Sequence, residues 1–251
     1  MLERVDDVAD VPVAVLRMAH GPVNAMDIEL CRAVTEQFRA LADDPVRAIV
    51  ITGTERSFSA GVDLKRYLAG GEPYVAEFLP ALADAFRAAF EVPKPVVAAV
   101  NGHAIAGGCI LAACADVVLM SGGRIGVPEI RVGVPFPRIA LEVLGVAVGE
   151  RTARRLVMGA QTYDPEQARE LGLVDEVVPA GELVERAVAS ARAMASEVPP
   201  DTFAITKTQL RRVALERTDR YADEDKEVVR LWSRRATDGW TAAYLRSATG
   251  R

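Results

Sequence analysis

The stretch Asn101-Gly-His-Ala-Ile-Ala-Gly-Gly-Cys-Ile-Leu-Ala-Ala-Cys-Ala-Asp116 decides how the rest of the chain is interpreted. It follows the five-residue apolar run 96–100, which is typical of a buried strand. Gly102, Gly107 and Gly108 interrupt this run, and an uncharged apolar segment with helical character comes next. A strand, a glycine turn and a buried helix start direct free backbone N–H groups towards whatever lies above the turn. The pattern therefore indicates a site for a phosphate or an oxyanion, or else glycines that only allow a helix to pack tightly on a sheet.

Two well-known glycine loops do not fit this stretch. Gly102 and Gly107 have the spacing of a Walker A loop, but Gly108 and Cys109 stand where Lys and Ser or Thr are required. No G-x-G-x-x-G motif follows a predicted strand, so a dinucleotide-binding fold has no fingerprint. The sequence therefore indicates neither a P-loop nor a dinucleotide site.

Composition limits the classes of protein and partner. The chain has 251 residues, of which 50% are hydrophobic and 26% charged, enough for one sizeable α/β domain with an appendage. A net charge of −5 argues against nucleic acid or an anionic membrane as a partner. The three cysteines lack disulfide spacing, the first residues are too charged for a signal peptide, and no apolar run has bilayer length, so we expect a cytoplasmic protein. With two histidines and scattered cysteines, the sequence offers no metal site and no Ser-His-Asp triad.

Strands alternate with helices up to about residue 178, which predicts a parallel α/β core. A hairpin is expected to turn around residues 9–10, and Asp27 is expected to cap the next helix. Residues 48–52 form a buried strand in this interpretation, and residues 67–75 form a mobile loop before a helix over 75–90.

The second half of the chain is predicted to be mostly helical. Pro128 is expected to open a single helical turn that contains Glu129. A last strand is expected at 174–178. Apolar periodicity predicts the remaining helices at about 138–147, 149–158, 164–171, 181–197, 202–217, 219–236 and 238–248.

Six short motifs follow one another along the chain: Pro22-Val-Asn-Ala-Met26, Phe58-Ser-Ala-Gly-Val-Asp-Leu64, Lys94-Pro-Val-Val-Ala-Ala-Val-Asn-Gly102, Ala106-Gly-Gly-Cys109, Cys114-Ala-Asp116 and Leu171-Gly-Leu-Val-Asp-Glu-Val-Val-Pro179. In this order and spacing the chain resembles the crotonase family, the enoyl-CoA hydratase/isomerase superfamily, over essentially its whole length. The resemblance implies a ClpP/crotonase-like α/β spiral of ββα units at 1–195, which binds acyl-CoA, and a helical oligomerisation region at 196–251. It also implies a homotrimer or a dimer of trimers, and no separate cofactor, because CoA is part of the substrate.

The resemblance further implies where the chemistry lies. Family members bind an acyl-CoA thioester and stabilise the enolate formed at its carbonyl with two backbone N–H groups, which form an oxyanion hole. By motif position these N–H groups belong to Val62 and Gly107. The resemblance implies contacts with CoA for a further set of residues: Ala25, Ser59, Ala60, Asp63, Leu64, Lys65, Arg66, Gly108 and Lys207. The basic side chains of this set are candidates for binding the CoA phosphates. They are at least as readily explained as solvated surface groups.

One departure from the family pattern carries the most information. Hydratases of the family hold and activate a water with two glutamates; Ile110 stands at the first of these positions and Glu129 at the second. A lone carboxylate beside an oxyanion hole suits the proton transfer of a Δ3-Δ2-enoyl-CoA isomerase, an enzyme of fatty-acid β-oxidation. The apolar neighbours of Glu129 predict a partly buried carboxyl with a raised pKa.

Two other function classes stay open beside the isomerase. One is a hydratase-like or hydrolytic member whose second polar group comes from elsewhere, and the other is an acyl-CoA-binding protein without significant activity. Other residues rank lower as candidates: we expect Asp116 to anchor a turn, His103 and Cys109 to pack, and Glu142 to lie near the rim of the pocket.

Overall fold

The computed structural model describes residues 2–7 and 9–249, which form ten strands and ten helices in those ranges. The strands are β1 Leu2–Asp7, β2 Val13–Met18, β3 Ala48–Thr52, β4 Ser57–Ser59, β5 Val96–Val100, β6 His103–Ile105, β7 Val117–Met120, β8 Ile125–Gly126, β9 Thr162–Tyr163 and β10 Glu176–Val177. The helices are α1 Ile28–Asp43, α2 Leu64–Glu91, α3 Gly107–Ala113, α4 Glu129–Val132, α5 Arg138–Gly159, α6 Pro165–Glu170, α7 Leu183–Ser196, α8 Pro200–Arg220, α9 Glu224–Thr237 and α10 Trp240–Thr249.

The larger sheet has the strand order β1-β2-β3-β5-β7-β10. All its pairs are parallel except the β1–β2 hairpin, which is antiparallel. Its central strands are apolar on both faces because both faces are covered, as is usual for parallel sheets. Alternate residues such as Val50 and Val97 pack with helix α7, while Ile51 and Ala98 belong to the main core with α1, α2 and α3.

A smaller sheet, in the order β4-β6-β8-β9, places the two glycine turns of the sequence side by side. Strands β4, β6 and β8 are parallel, and β9 is antiparallel to β8. Strand β4 leads through Gly61 into α2, and β6 leads through Ala106 into α3. The chain therefore leaves two neighbouring strands in the same direction and begins two helices next to each other.

Several sequence predictions are confirmed and others are corrected. The hairpin, β3 and the helical turn at Glu129 are present, and the Asp27 carboxylate caps α1 by accepting from Leu30 N at 2.9 Å. The last strand is shorter than predicted. The predicted loop at 67–75 was wrong, since these residues are helical and α2 only kinks at Gly71, where φ is +58°. Pro73 follows the kink at the start of the next helical segment, where its missing N–H costs little.

The helices after residue 199 cover the core of their own chain. Helix α8 packs on α5, α9 packs on α2, and α10 contacts α4. Helix α8 still leaves apolar side chains exposed, among them Leu210 and Val213. The oligomerisation role of the 196–251 region and the homotrimer stay predictions. Among the helices of the described ranges, the structure contains none with the length and apolar character needed to cross a membrane.

Candidate active site

The turns that precede Val62 and Gly107 touch each other. Gly61 has φ +80°, and a Cβ built on it would lie 2.6 Å from the Ile105 carbonyl oxygen and 2.9 Å from the Ala106 Cβ. No side chain fits in that gap, and positive φ is readily adopted only by glycine. Gly61 therefore lets the two helix starts approach to van der Waals distance.

Ala106 directs the start of helix α3 through an unusual backbone conformation. Its φ of +54° is rare for a residue with a Cβ. Its carbonyl accepts from Cys109 N at 2.8 Å and from Ile110 N at 3.1 Å, and its own N–H donates to Gly126 O at 2.8 Å. These bonds hold the strained residue and begin the helix at Gly107, whose amide is one of the first-turn donors that have no acceptor within a helix.

The amide of Val62 is left free by the way Met26 pairs with this segment. Met26 N donates to Gly61 O at 2.7 Å, and Asp63 N donates to Met26 O at 2.9 Å, forming a parallel bridge opposite Val62. In such a bridge the N–H of the central residue faces away from its partner. Within residues 2–7 and 9–249, neither the Val62 amide nor the Gly107 amide donates to a backbone or side-chain acceptor.

Glu129 lies on the one-turn helix α4, which Pro128 precedes and Gly133 ends with φ +98°. The residue is buried, with 7% of its surface exposed. Its Oε2 is buried and has no hydrogen-bond partner among the described residues. Burial raises the pKa of the Glu129 carboxyl to about 8, because the charged form loses its hydration without gaining a counter-charge.

One small cavity joins these groups. It has a volume of about 20 Å³, and Val62, Gly107, Ile110 and Glu129 all line it. The remaining lining residues are apolar: Leu82, Phe86, Pro135, Phe136, Pro137, Ala140 and Trp232. A carboxyl group and two free amides thus share a poorly hydrated space, in which electrostatic interactions are stronger than in water. No group of three metal-ligating side chains occurs in the described part of the chain.

Most of the residues that are predicted to contact CoA lie around the turns that precede Val62 and Gly107. Ala25, Ala60, Asp63 and Leu64 are half-buried near the Met26–Val62 bridge. Asp63 caps α2 by accepting from the amides of Lys65 and Arg66, both at 3.0 Å. The Arg66 guanidinium is paired with Asp27 at 2.7 Å and Glu29 at 2.6 Å, and the Lys65 side chain is exposed.

Ser59 and Gly108 have structural explanations in this fold. The Ser59 hydroxyl donates to Asn24 O at 2.7 Å and accepts from Gly61 N at 3.2 Å, so it supports the first turn. A Cβ on Gly108 would lie 2.5 Å from Ser59 O and 2.8 Å from Ser59 Cβ. Glycine at 108 is therefore required by the packing of α3 against β4, and the space above its Cα is filled by the protein itself.

Lys207 does not line this cavity, and its predicted contact with a CoA phosphate stays a prediction. It is buried, and its Nζ donates to Lys94 O and to Asp116 Oδ2, both at 2.7 Å. Burial lowers the pKa of its ammonium to about 8, with the Asp116 carboxylate opposing that shift. Two acceptors of its own chain thus hold this ammonium.

The lower-ranked residues have partners away from the cavity. Asp116 accepts from Val96 N at 2.8 Å and so anchors the start of β5, as expected for a turn residue. Glu142 is buried and accepts from the Arg138 guanidinium. His103 is exposed and its Nδ1 accepts from Arg124 N at 3.2 Å, while Cys109 is a fully buried core residue.

The sequence interpretation missed the three aromatic residues among the described lining of the cavity, Phe86, Phe136 and Trp232. Phe136 lies between α4 and α5, and Trp232 lies on α9 in the tail, about 100 residues further along the chain. Their apolar character predicted burial, but a helical apolar stripe gives no sign of which of its members faces a functional cavity.

Comparison with known proteins gives the family of this chain. The sequence model described as enoyl-CoA hydratase/isomerase matches residues 10–237. A putative enoyl-CoA hydratase of Thermus thermophilus is 35% identical over 181 residues, which are 70% of this chain and 71% of that protein. Human mitochondrial enoyl-CoA delta isomerase 1 is 27% identical over 218 residues, 85% of this chain and 72% of that protein.

A solved structure has the same fold over nearly the whole chain. The crystal structure of human mitochondrial delta3-delta2-enoyl-CoA isomerase superposes with a TM-score of 0.86, covering 98% of each chain at 23% identity. The paired helix starts, the mixed α/β architecture and the match of the family model agree. The chain belongs to the enoyl-CoA hydratase/isomerase family and has the crotonase fold.

Proposed function

We propose that this protein is a Δ3-Δ2-enoyl-CoA isomerase in which Glu129 is the single acid and base. The observation that carries the proposal is the buried, unpartnered Glu129 carboxyl, which shares its cavity with the free amides of Val62 and Gly107 and with aliphatic Ile110. An unpaired buried carboxyl is costly to the fold, so its presence at this position favours a chemical role over a structural one.

The reaction needs only these groups. With the thioester oxygen between the two amides, the Glu129 carboxylate removes a proton from C2 of a 3-enoyl-CoA. The electron pair of that C–H bond is delocalised in a dienolate over C2, C4 and the thioester oxygen, and the Val62 and Gly107 amides stabilise the charge on that oxygen. The C2–C3 double bond forms when C4 takes up a proton. The protonated Glu129 then returns the proton to C4, which leaves a 2-enoyl-CoA and the carboxylate.

The protonation behaviour of Glu129 matches this task. A general base is most effective when its pKa lies near the working pH, and burial has raised the pKa of this carboxyl to about 8. The same carboxyl can hold the proton long enough to return it, because its neutral form is the one favoured by the apolar cavity. No cofactor or metal takes part in the proposed reaction.

Hydration is the main alternative, since relatives named as hydratases are among the similar proteins. Water addition requires the nucleophile to be held and activated, and two carboxylates share that task in the hydratases of the family. Ile110 is 1% exposed on the wall of the cavity and offers no hydrogen bond to a water. Of the described side chains that line the cavity, only Glu129 carries a titratable group, which favours isomerisation.

The test follows isomerisation of a 3-enoyl-CoA and hydration of a 2-enoyl-CoA by the same preparations. Glu129→Gln keeps the shape of the side chain and removes the base, so isomerisation is expected to fall by ~10²–10⁴. Glu185→Gln, which alters an exposed glutamate of α7, is the matched control and should leave the rate unchanged. Ile110→Glu should introduce some hydration if the cavity can solvate a second carboxylate, whose repulsion with Glu129 would raise at least one pKa.

Two results would contradict the proposal. One is rapid hydration by the wild-type protein, which would require a water-holding group that the cavity does not show. The other is isomerisation that survives Glu129→Gln in a folded protein. Absence of both reactions, with acyl-CoA still bound, would favour the third class, a binding protein without significant activity.

A further inference from the structure

The position of the Glu129 carboxyl depends on the turn that carries it. Its Oε2 has no hydrogen-bond partner among the described residues, so no bond holds this oxygen in place. Helix α4 has only four residues, and an isolated turn of that length is not stable in water. Strand β8, which pairs with β6 and β9, ends at Gly126 and holds the chain just before this turn. The contacts at the other end of the turn therefore decide where the carboxyl lies.

Side chains of helices α9 and α10 make the contacts at that other end. A helix leaves its last carbonyl groups without partners inside the helix. Here three successive carbonyl groups, at positions 131 to 133, each accept a hydrogen bond from the C-terminal tail. The bonds are Trp240 Nε1 to Arg131 O at 3.2 Å, Thr241 Oγ1 to Val132 O at 3.1 Å and Arg235 Nε to Gly133 O at 3.1 Å. Arg235, Trp240 and Thr241 thus form a clamp on the end of α4.

The clamp residues are themselves held in place. Thr241 is fully buried, and the Arg235 guanidinium is paired with Asp238, whose Oδ1 also accepts from Trp240 N at 3.0 Å. The indole of Trp240 lies directly against Gly133, where an added Cβ would be 2.4 Å from the indole Cδ1. Because Gly133 has no Cβ, the indole comes close enough to α4 to donate to it.

The same tail also supports the segment that follows the turn. Trp232 Nε1 donates to Pro135 O at 2.8 Å, and both residues line the cavity together with Glu129. Four of the carbonyl groups that follow Glu129, at positions 131, 132, 133 and 135, are thus bonded to tail side chains. The turn cannot shift without breaking several of these bonds at once.

We propose that the clamp positions Glu129 from the C-terminal tail of the same chain, with the buried Thr241 as its central residue. Loss of a clamp bond lets the turn move and admits water to the carboxyl. The expected effect on the reaction rate rests on the proposed function. The effect on the carboxyl itself does not, and it can be measured without substrate.

The variants remove one clamp bond at a time. Thr241→Val keeps the shape of the side chain and removes the donor to Val132 O, whereas Thr241→Ser keeps the donor and is the conservative rescue. Trp240→Phe removes the indole N–H at an exposed position, so it tests the clamp even if Thr241→Val does not fold. The matched control is Thr218→Val in α8, which removes a buried hydroxyl that donates to Ala214 O at 2.9 Å and does not line the cavity.

The first measurement is the titration of Glu129 by carbon-13 NMR of the protein labelled at the glutamate carboxyl. Glu129→Gln identifies the signal by its absence. Thr241→Val and Trp240→Phe should lower the pKa of Glu129 from about 8 towards 4.5, since water that reaches the carboxyl favours its charged form. Thr241→Ser and Thr218→Val should leave this pKa unchanged. Burial and the nearby Glu129 raise the pKa of the Cys109 thiol, which stays neutral over the titrated range.

The second measurement is isomerisation of but-3-enoyl-CoA. Thr241→Val should lower kcat by ~10–100-fold, because a misplaced acid–base group loses much of its effect. Thr241→Ser and Thr218→Val should keep the wild-type kcat. The affinity for butanoyl-CoA, measured by calorimetry, should be the same in all variants, since the residues predicted to contact CoA lie on other elements. Circular dichroism and melting curves show which variants are folded.

The inference fails if the pKa of Glu129 in folded Thr241→Val and Trp240→Phe equals that of the wild type. It also fails if Thr218→Val lowers this pKa as much as Thr241→Val does, because the change would then follow from a general loss of stability. A lowered pKa confined to the clamp variants, in a protein that does not isomerise but-3-enoyl-CoA, would overturn the proposed function and leave the clamp in place.

Discussion

Two buried charged sites in this protein have opposite arrangements. In the cluster formed by Asp116, Lys207 and Arg211, each charge has partners of opposite sign, at 2.7 Å from the Asp116 oxygens. At Glu129, a carboxyl with comparable burial has an oxygen without any partner among the described residues. The first site holds charges in place; the second leaves one carboxyl ready to exchange a proton.

The paired cluster joins three parts of the fold. The Asp116 carboxylate also accepts from Val96 N, so it binds the start of β5 to helix α8. The Arg211 guanidinium donates to the Phe90 carbonyl and lies 4.3 Å from the centre of the Phe90 ring. Burial lowers the pKa of both basic groups, and the Asp116 carboxylate counteracts that shift. These contacts fix helix α8 on the core.

The difference between the two sites teaches that burial alone does not give a carboxyl its function. At Lys207 the Asp116 carboxylate opposes the pKa shift that burial causes, whereas at Glu129 no counter-charge opposes it. In the sequence Asp116 and Glu129 look alike, because each has apolar residues directly on both sides. Only the partners supplied by distant elements distinguish them.

The largest expected effect comes from breaking the paired site. Asp116→Asn leaves Lys207 and Arg211 buried without their counter-charge, so the free energy of unfolding should fall by ~3–5 kcal/mol. Urea denaturation measures this change. Asp84→Asn, on the exposed side of α2, is the control and should change stability by less than ~0.5 kcal/mol. A loss below ~1 kcal/mol for Asp116→Asn would show that the cluster is not the structural site described here.

The unpaired site should respond with the opposite sign. The folded-state pKa of Glu129, about 8, lies above the ordinary value of 4.5, so the folded protein binds this proton more tightly than the unfolded chain does. The contribution of the group to stability is therefore fully present below pH 4.5 and is lost as the pH rises to about 8. Glu129→Gln removes this loss, and the variant should exceed the wild type by a few kcal/mol on the alkaline side.

Urea denaturation of both proteins at pH values on either side of that window checks this prediction. The stability difference between Glu129→Gln and the wild type should grow with pH and should nearly vanish in acid. A difference that is constant with pH would mean that the Glu129 carboxyl has an ordinary pKa and lacks the buried, unpaired environment. The contrast with the Asp116 cluster would then disappear.

The smallest effect concerns the backbone that positions the proposed oxyanion hole. Ala106→Gly relieves a positive φ of +54° and should raise the free energy of unfolding by up to ~1 kcal/mol, after the greater flexibility of glycine in the unfolded chain is subtracted. Ala112→Gly, at a helical position of α3, should instead destabilise by ~1 kcal/mol. Equal destabilisation by the two substitutions would show that Ala106 is not strained.

Much of the architecture could be predicted from the spacing of apolar residues and from the residues that mark the ends of helices and strands. The apolar runs at 48–52 and 96–100 became β3 and β5, and the good N-cap at Asp27 began α1. The prediction failed at 67–75 because two glycines and a proline normally mark a loop, whereas here packing of α2 on α1 and α9 keeps the segment helical around one kink. The smaller sheet was missed because its strands have only two or three residues, too few for an alternating pattern.

The candidate site, too, was predictable from the sequence only in part. The sequence by itself determined the two glycine turns, the aliphatic residue at 110 and the carboxyl at 129, because each depends on local residue types in a fixed motif order. The resemblance to the family also implied a CoA-phosphate contact for Lys207, beside the alternative of a solvated surface lysine. Only the tertiary structure showed that Asp116 holds this lysine inside the core.

Only the tertiary structure also showed that one carboxyl oxygen of Glu129 has no hydrogen-bond partner among the described residues. Whether an oxygen has a hydrogen-bond partner depends on every element that surrounds it. In the same way, only folding brings Trp232 and Phe136 from distant parts of the chain into the lining of the cavity. Sequence patterns report how a residue relates to its neighbours within a few positions. The pKa of a carboxyl and the volume of a cavity depend on contacts between segments that are far apart in sequence, and only folding brings these segments together.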